Sequence, residues 1–242
     1  MQHSHEALDR PGGFAKAGLL SPLRHRDFRV LWAGMAVSLL GDGIFLIAIA
    51  WETYALWNAP AALSIVGIAM TVPTVVFLLV GGVLSDRHDR RRLMLAADAV
   101  RALAVACLAV LVFAGALQLW ELVVLVALYG AGTAFFTPAF EAIVPDLLPR
   151  QDLAAANSLD QFVRPIALRL AGPLLGGLLV AAGAGVAFAV DAASFAASGI
   201  AVLAMRSTRP PTSCARSGSS APGTSPWPPP TSRSGSRGCR AP

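Results

Sequence analysis

Six long apolar segments separated by short polar ones set the pattern of this chain. They lie at about 30–56, 61–84, 93–117, 119–140, 158–182 and 185–205. Each is long enough to cross a hydrocarbon core, which takes roughly 20 residues of helix at about 1.5 Å per residue. The segments lack the polar face that a surface helix of a soluble protein shows. The pattern therefore predicts an all-α, polytopic membrane protein with six transmembrane helices.

The composition supports a membrane protein and divides the chain into three parts. Of the 242 residues, 55% are hydrophobic and 14% are charged, whereas soluble domains carry about 25% charged residues. Residues 1–28 lack the apolar stretch of a cleavable signal peptide, so we expect a cytosolic leader. Residues 29–205 would form the six-helix bundle, and residues 206–242 a separate tail.

The tail has the composition of a disordered segment. Among the 33 residues from 210 to 242 there are 8 Pro, 8 Ser and 4 Gly. Such a sequence buries too little apolar area to offset the entropy of ordering it. The abrupt change after Met205 favours out-of-frame translation of GC-rich DNA over a proline-rich partner ligand or a merely flexible extension.

The chain has a net charge of +5, and its basic residues are unequally divided between the two predicted sides of the membrane. With the N-terminus in the cytosol, the outer connections at 57–60, 118 and 182–185 contain no Lys or Arg. All 19 Lys and Arg then fall within helices or in inner segments, which include connections at 85–92 and 141–157. This distribution predicts a multi-pass protein of the cytoplasmic cell membrane with both termini in the cytosol, and it argues against nucleic-acid binding.

The connection between the second and third segments is dense in charge. Gly82 allows close approach of the helices. Asp86 can accept from a helix N-terminus or pair with an arginine, which would latch one conformation of a carrier. The arginines concerned are Arg87, Arg90 and Arg91. In the alternative interpretation they only fix orientation at anionic headgroups, at about 1 kcal/mol each.

Several short motifs occur together in one order along the chain. They are Leu-Trp-Ala-Gly at 31–34, Ser-Leu-Leu-Gly-Asp at 38–42, Gly-x-x-x-Asp-Arg-x-x-Arg-Arg at 82–91, Phe-Thr-Pro-Ala at 136–139, Gly-Pro-Leu-Leu-Gly-Gly at 172–177 and Asp-Ala-Ala-Ser-Phe at 191–195. Together they resemble the N-terminal six-helix half of major facilitator superfamily transporters, closest to the multidrug and siderophore exporter branch. The resemblance covers about residues 24–205.

The resemblance implies a carrier in which two six-helix bundles rock around a midplane site. Such carriers have about twelve helices, twice the number predicted here. Three positions depart from the family pattern: Asp89 and Leu168 stand where glycine is expected, and Val126 where many proton-coupled relatives have arginine. Proton antiport is therefore implied by the resemblance and not by these residues.

The fifth segment contains a cluster of small residues, Gly172, Pro173, Gly176 and Gly177. They remove side chains from one helix face and also one backbone donor, so the helix can bend and pack tightly. In the resembled family this motif serves to close an access path. Ordinary small-residue packing, which is common in membrane helices, is the alternative.

Ionisable residues inside the apolar segments are the candidates for a transport site, since each costs several kcal/mol unless it pairs or faces water. Asp42, between Gly41 and Gly43, is the first candidate for a proton or cation site. Its alternative role is a hydrogen bond to a neighbouring helix. Glu52 lies nearer the outer end and could reach the surface. Arg169 lies about two turns into the fifth segment, where extension to the interface is strained.

Three further sets of intramembrane charges are interpreted as structural. Asp160 and Arg164 are spaced i,i+4 and should pair near the cytosolic interface. Asp98 and Arg101 are spaced i,i+3 in the third segment and should also pair. Asp191, on the sixth segment, is interpreted as structural because this helix is peripheral in the resembled fold.

These observations predict a major facilitator exporter of small hydrophobic or amphipathic compounds, driven by protons through alternating access. The alternative is a non-transporting half-bundle, either an assembly partner in the membrane or an inactive fragment. We expect no enzyme, cofactor or metal, since the sequence has no catalytic constellation and no Gly-x-x-x-x-Gly-Lys motif.

The expected partners are a small-molecule substrate, protons and membrane lipid. Six helices alone would expose a polar cavity wall to lipid, where each unpaired polar group is costly. We therefore also expect either a missing C-terminal half or a homodimer that rebuilds the cavity.

Overall fold

The described part of the chain is helical and contains no strand. The computed structural model describes residues 20–87 and 89–205, and for 79–87 it describes the backbone but not the side chains. Most of the expected leader and the whole of the expected tail lie outside the described residues. The elements are a 3-10 turn at Ser21–Arg24, α1 at Arg26–Trp57, α2 at Pro60–Arg87, α3 at Arg90–Phe113, α4 at Leu119–Leu147, α5 at Arg150–Ile166, a π turn at Ala167–Ala171, α6 at Gly172–Ala181 and α7 at Ala184–Ala204.

The prediction of six membrane helices is confirmed. Six helical stretches of the described chain are long and apolar enough to cross a membrane. Four are α1 to α4, the fifth is the continuous stretch Arg150–Ala181, and the sixth is α7. The chain is therefore a multi-pass membrane protein, and its fifth crossing consists of α5, the π turn and α6.

The predicted loop at 141–157 is wrong, because nearly all of this region is helical, while its location on the inner side stays a prediction. Helix α4 continues to Leu147 and α5 begins at Arg150, which leaves only Leu148 and Pro149 between them. The polar residues of this region suggest a loop, but most of those in α5 lie on its exposed side, and Asp152 is buried and accepts hydrogen bonds from Ser21 and His25. On its other side Ala156 and other residues are buried against the bundle, as in an amphipathic helix.

Helix α3 ends earlier than predicted, at Phe113 and not at residue 117. Gly115 has a φ of +62°, a left-handed conformation that glycine adopts without strain. The amide of Gly115 donates to the Val112 carbonyl and that of Ala116 to the Leu111 carbonyl. These two bonds form a Schellman motif, which satisfies the last carbonyls of the helix.

Two apolar clusters hold the crossing helices together, and a layer of polar residues lies between them. One cluster contains Ile44 of α1 and Val105 of α3, and the other contains Leu39 of α1 and Ala97 of α3. Helix α7 packs along both α1 and α3, while α2 packs mainly on α4. Charged residues of α1 and α3 thus lie at the level where the two clusters meet.

The topology prediction is testable at exposed alanines of two connections. Ala116 and Ala182 lie at the predicted outer end, and Gln151 is exposed at the predicted inner end. In a background with the three native cysteines replaced by serine, we expect Ala116→Cys and Ala182→Cys to react with a membrane-impermeant maleimide in intact cells. Gln151→Cys should react only after the cells are opened. The reverse pattern would invert the predicted orientation.

Candidate functional site

Asp42 lies in the polar layer, and its hydrogen-bond partner comes from α4. The Tyr129 hydroxyl donates to Asp42 Oδ1 over 2.7 Å. Tyr129 is 2% exposed, and its ring stacks on Phe45 with the centroids 4.3 Å apart. The hydrogen bond to a neighbouring helix, one of the two interpretations of Asp42, is present in the structure. The transport role of Asp42 stays a prediction.

Arg101 is a completely enclosed cation that contacts three helices. It forms the predicted ion pair with Asp98, and each side chain of the pair is nearly inaccessible. The Ser198 hydroxyl of α7 donates to Asp98 Oδ2 over 2.8 Å. The guanidinium carbon lies 4.4 Å from the ring centroids of both Phe136 and Phe195. Pairing and cation–π contact together compensate for the loss of water around the charge.

Asp191 of α7 is 0% exposed and lies against α1. Its Oδ1 accepts a hydrogen bond of 3.2 Å from the Ser194 hydroxyl. Its Oδ2 has no hydrogen-bond partner among the described residues. A Cβ atom added at Gly41 would overlap Asp191 Oδ1, so only glycine leaves room for this carboxyl group.

A cavity of about 40 Å³ adjoins the buried cation and Asp42. This volume accommodates a water molecule, whose share of the liquid is about 30 Å³. The polar residues that line it are Ser38, Asp42, Arg101, Thr133, Thr137 and Arg164. Arg164 also forms the predicted pair with Asp160, at 3.2 Å from Nε to Oδ2. The cavity therefore brings polar side chains of four crossing helices together, beside the apolar residues Met35, Leu39, Phe136 and Phe140.

The other two candidates, Glu52 and Arg169, are not part of this group. Glu52 is half-buried and lies ten residues after Asp42 on α1, which corresponds to about 15 Å along the helix. Arg169 is exposed on the π turn, deeper in its crossing than predicted because α5 begins at Arg150. Within the described ranges, no group of three His, Cys, Asp or Glu residues could hold a metal ion.

The glycines of the fifth crossing form close contacts with α1. A Cβ atom added at Gly172 would lie 2.6 Å from Gly43 Cα, and one added at Gly176 would lie 3.1 Å from Ile44 Cα. An added Cβ at Gly177 meets no described atom within 4 Å. Close packing accounts for Gly172 and Gly176 but not for Gly177, and the gating role of the motif stays a prediction.

The π turn lies directly before this contact. The Gly172 amide donates to the Ala167 carbonyl, five residues back. Pro173 follows and has no amide hydrogen to continue the regular α-helical pattern. Such π turns within helices often occur at functional positions. The fifth crossing therefore has an irregular backbone at the point where it touches α1.

The charged connection between α2 and α3 is tied to two other helices. Arg90 donates to Asp146 Oδ2 over 2.5 Å and to the Ala142 carbonyl over 2.8 Å, both on α4. Arg91 donates to the Leu203 carbonyl of α7 over 2.5 Å. Asp89, where the family pattern has glycine, accepts from the Arg91 amide and caps α3.

Three residues of the predicted latch lie where the side chains are not described. Gly82, Asp86 and Arg87 belong to the last turns of α2, so the connection is shorter than predicted. The latch itself stays a prediction.

Tyr129 is the residue of this site that the sequence interpretation missed. It lies 87 positions from Asp42, so no local spacing links the two. A usable signal was its hydroxyl in the middle of an apolar segment, since a buried tyrosine usually finds a hydrogen-bond partner.

Comparison with known proteins identifies the family. The transmembrane secretion effector family, a group of major facilitator transporters, matches residues 17–218. The chain belongs to this family. The resemblance to major facilitator transporters predicted from the motifs is thus confirmed. No solved structure matches the chain significantly.

Several curated relatives of this chain are named as efflux proteins. Macrolide efflux protein A of Streptococcus pyogenes is 33% identical over 152 residues, which are 63% of this chain and 37% of the relative. The multidrug efflux pump Tap of Mycolicibacterium fortuitum is 32% identical over 184 residues, 73% of this chain and 44% of that pump. The chain thus spans about two fifths of the length of these relatives.

The close contact of Gly172 with α1 predicts a selective effect of alanine. Gly172→Ala places a methyl group 2.5 Å from the Ala167 carbonyl oxygen and 2.6 Å from Gly43 Cα. Overpacking of this kind costs about 1–3 kcal/mol, which should lower the thermal stability of the solubilised protein. Gly177→Ala is the matched control and should be neutral or stabilise by up to about 1 kcal/mol. Equal losses for both variants would contradict the packing.

The burial of Arg101 predicts that two ion pairs of the chain contribute differently to its stability. Arg101→Met leaves Asp98 buried without its partner, and we expect a loss of about 3–5 kcal/mol in thermal or denaturant unfolding. Arg92→Met breaks the exposed pair with Asp89 and should cost about 0–1 kcal/mol. Adding Asp98→Asn to Arg101→Met should recover part of the loss. If Arg101→Met were as stable as Arg92→Met, the buried pair would not carry the stability assigned to it.

Proposed function

We propose that this chain is one six-helix half of a proton-coupled exporter of small hydrophobic or amphipathic compounds. Family membership and the names of the efflux relatives support transport as the general activity. Proton coupling is supported by the position of Asp42. This ionisable side chain lies in the middle of a membrane crossing and lines the small cavity beside Arg101.

The surroundings of Asp42 support a role in coupling. The Tyr129 hydroxyl donates to it from α4, and the positive charges of Arg101 and Arg164 act on it. These interactions are stronger with a carboxylate than with a neutral carboxylic acid. Protonation of Asp42 would therefore weaken the attraction of α1 for α3, α4 and α5, which favours a different arrangement of the helices.

The conformational change would use the contacts at the ends and middle of the bundle. The tight approach of Gly172 to Gly43 allows the fifth crossing to pivot on α1, and the π turn supplies an irregular backbone there. Arg90 and Arg91 tie the α2–α3 connection to α4 and α7. We propose that this connection latches one state together with Gly82, Asp86 and Arg87.

The substrate path would require a second six-helix unit. Helix α2 and the fifth crossing are the least buried of the six within this chain. Arg169 is exposed in the fifth crossing, where a charge facing lipid is costly. A C-terminal half or a second copy of the chain that covered these helices would enclose the cavity wall. Glu52 would stay outside the coupling group.

Transport by the full chain in liposomes tests this proposal. We expect an imposed pH gradient to drive a macrolide antibiotic or a lipophilic cationic dye across the membrane. Asp42→Asn should reduce this transport to the level of empty liposomes, because asparagine cannot carry the proton. Glu141→Gln replaces an exposed carboxylate of α4 and should leave transport unchanged.

The outcomes separate coupling from transport. Gradient-driven transport by Asp42→Asn would remove Asp42 from the coupling step. Absence of transport by the unaltered chain, both alone and with a relative's C-terminal half supplied, would favour the non-transporting half-bundle. The non-transporting half-bundle is the second candidate function, because the chain matches only 37% of the length of macrolide efflux protein A.

A further inference from the structure

Asp191 lies in a site that offers little compensation for the negative charge of a carboxylate. It is completely buried, and its Oδ2 has no hydrogen-bond partner among the described residues. The single donor to its Oδ1 within that part of the chain is the Ser194 hydroxyl. An ionised carboxylate that has lost water and lacks a cation costs several kcal/mol, whereas the neutral acid avoids most of this cost.

The acid lies beside Asp42 across the contact of α1 with α7. The short distance between Asp191 Oδ1 and a Cβ at Gly41 places it against the backbone next to Asp42. The negative charges of the two carboxylates act on each other. Two carboxyl groups buried at the same level of adjacent helices repel each other when both are ionised, so their protons bind as a coupled pair.

The charged groups around Asp191 do not neutralise it. Helix α1 presents Asp42, and α4 presents the Tyr129 hydroxyl, which already donates to Asp42. Helix α3 presents Arg101, whose charge is paired with Asp98. Helix α6 also packs on α7 but has no ionisable residue. Three carboxyl groups therefore share one buried guanidinium.

We propose that Asp191 and Asp42 form one proton-binding pair, in which Asp191 is a second proton-carrying residue of the exporter. The inference deepens the proposed proton coupling and rests on it. Asp42 borders the cavity and Asp191 does not, so Asp42 is the member that exchanges with water. No hydrogen bond joins the two carboxyl groups among the described residues, so the proton passes from Asp191 to the Asp42 carboxylate when a movement of α1 against α7 brings the two groups into contact. Asp191 then becomes a carboxylate. Asp42 then passes the proton to a water molecule. The two carboxylates that remain repel each other, which favours rebinding of a proton from water at Asp42 and its return to Asp191.

Infrared difference spectroscopy of the full chain in lipid discs tests the pair without requiring transport. We expect the carbonyl band of a protonated carboxylic acid, which deuterium oxide shifts, in spectra taken between acid and alkaline buffer. Every carboxyl group that titrates, Asp42 included, gives such a band, so the test is the component that Asp191→Asn removes and that the exposed control Glu141→Gln keeps. Asp42→Asn removes the neighbouring negative charge and should move the midpoint of the band to lower pH by about one unit, a tenfold weaker proton affinity.

Two results would overturn the proposal. One is a spectrum from which Asp191→Asn removes no component, and the other is a midpoint of the Asp191 component that Asp42→Asn leaves in place. If Asp191→Asn does not fold, Ser194→Ala replaces it. This variant deletes the donor to Oδ1 without a change of charge, and it should move the midpoint of the same band to higher pH. An unmoved midpoint in Ser194→Ala would equally overturn the proposal.

A transport measurement separates this proposal from the proposed coupling. In liposomes, Asp191→Asn should lose gradient-driven transport but keep the exchange of labelled for unlabelled compound without a gradient, because exchange needs no net proton movement. Full gradient-driven transport by Asp191→Asn would overturn the role of Asp191 while leaving Asp42 as the coupling residue. If Asp42→Asn also kept full gradient-driven transport, the proposed coupling would be wrong. The infrared measurement would still test whether Asp191 and Asp42 bind protons as a pair.

Discussion

A cation enclosed between membrane helices must be compensated locally, and Arg101 imposes this requirement on the bundle. Its compensation comes from Asp98 on its own helix, from Phe136 on α4 and from Phe195 on α7. Because Ser198 of α7 also donates to Asp98, the same charge fixes α7 against α3. The position of α7 in turn brings its acidic residue to α1. The polar layer therefore depends on how one guanidinium is neutralised.

Helix α1 can take part in this layer because it carries glycines on two sides. Gly41 leaves room for Asp191 on α7, and Gly43 leaves room for Gly172 on the fifth crossing. Asp42 lies between them and bonds to Tyr129 on α4. Three residues in sequence thus face three different helices. A change in the charge of Asp42 would act where α1 is in close contact with most of the bundle.

The sequence predicted what depends on local pattern and missed what depends on distant contacts. Apolar length predicted the six crossings, and the spacing of Asp98–Arg101 and Asp160–Arg164 predicted both ion pairs. The polar region 141–157 was mistaken for a loop because amphipathic helix ends outside the apolar layer resemble connections in composition. The Tyr129–Asp42 bond could not be predicted, since it joins residues 87 positions apart. The enclosure of Asp191 likewise results from packing of α7 on two helices.

The polar layer and the proposed substrate path differ in whether one six-helix unit is enough to form them. The buried acids, their cation and the adjoining cavity all belong to this one six-helix unit. Proton binding there needs no side chain from a second unit. The substrate path differs, because α2 and the fifth crossing are left largely uncovered within the chain. The charged groups of the polar layer are thus brought together within one half, whereas the proposed substrate path would require a second unit.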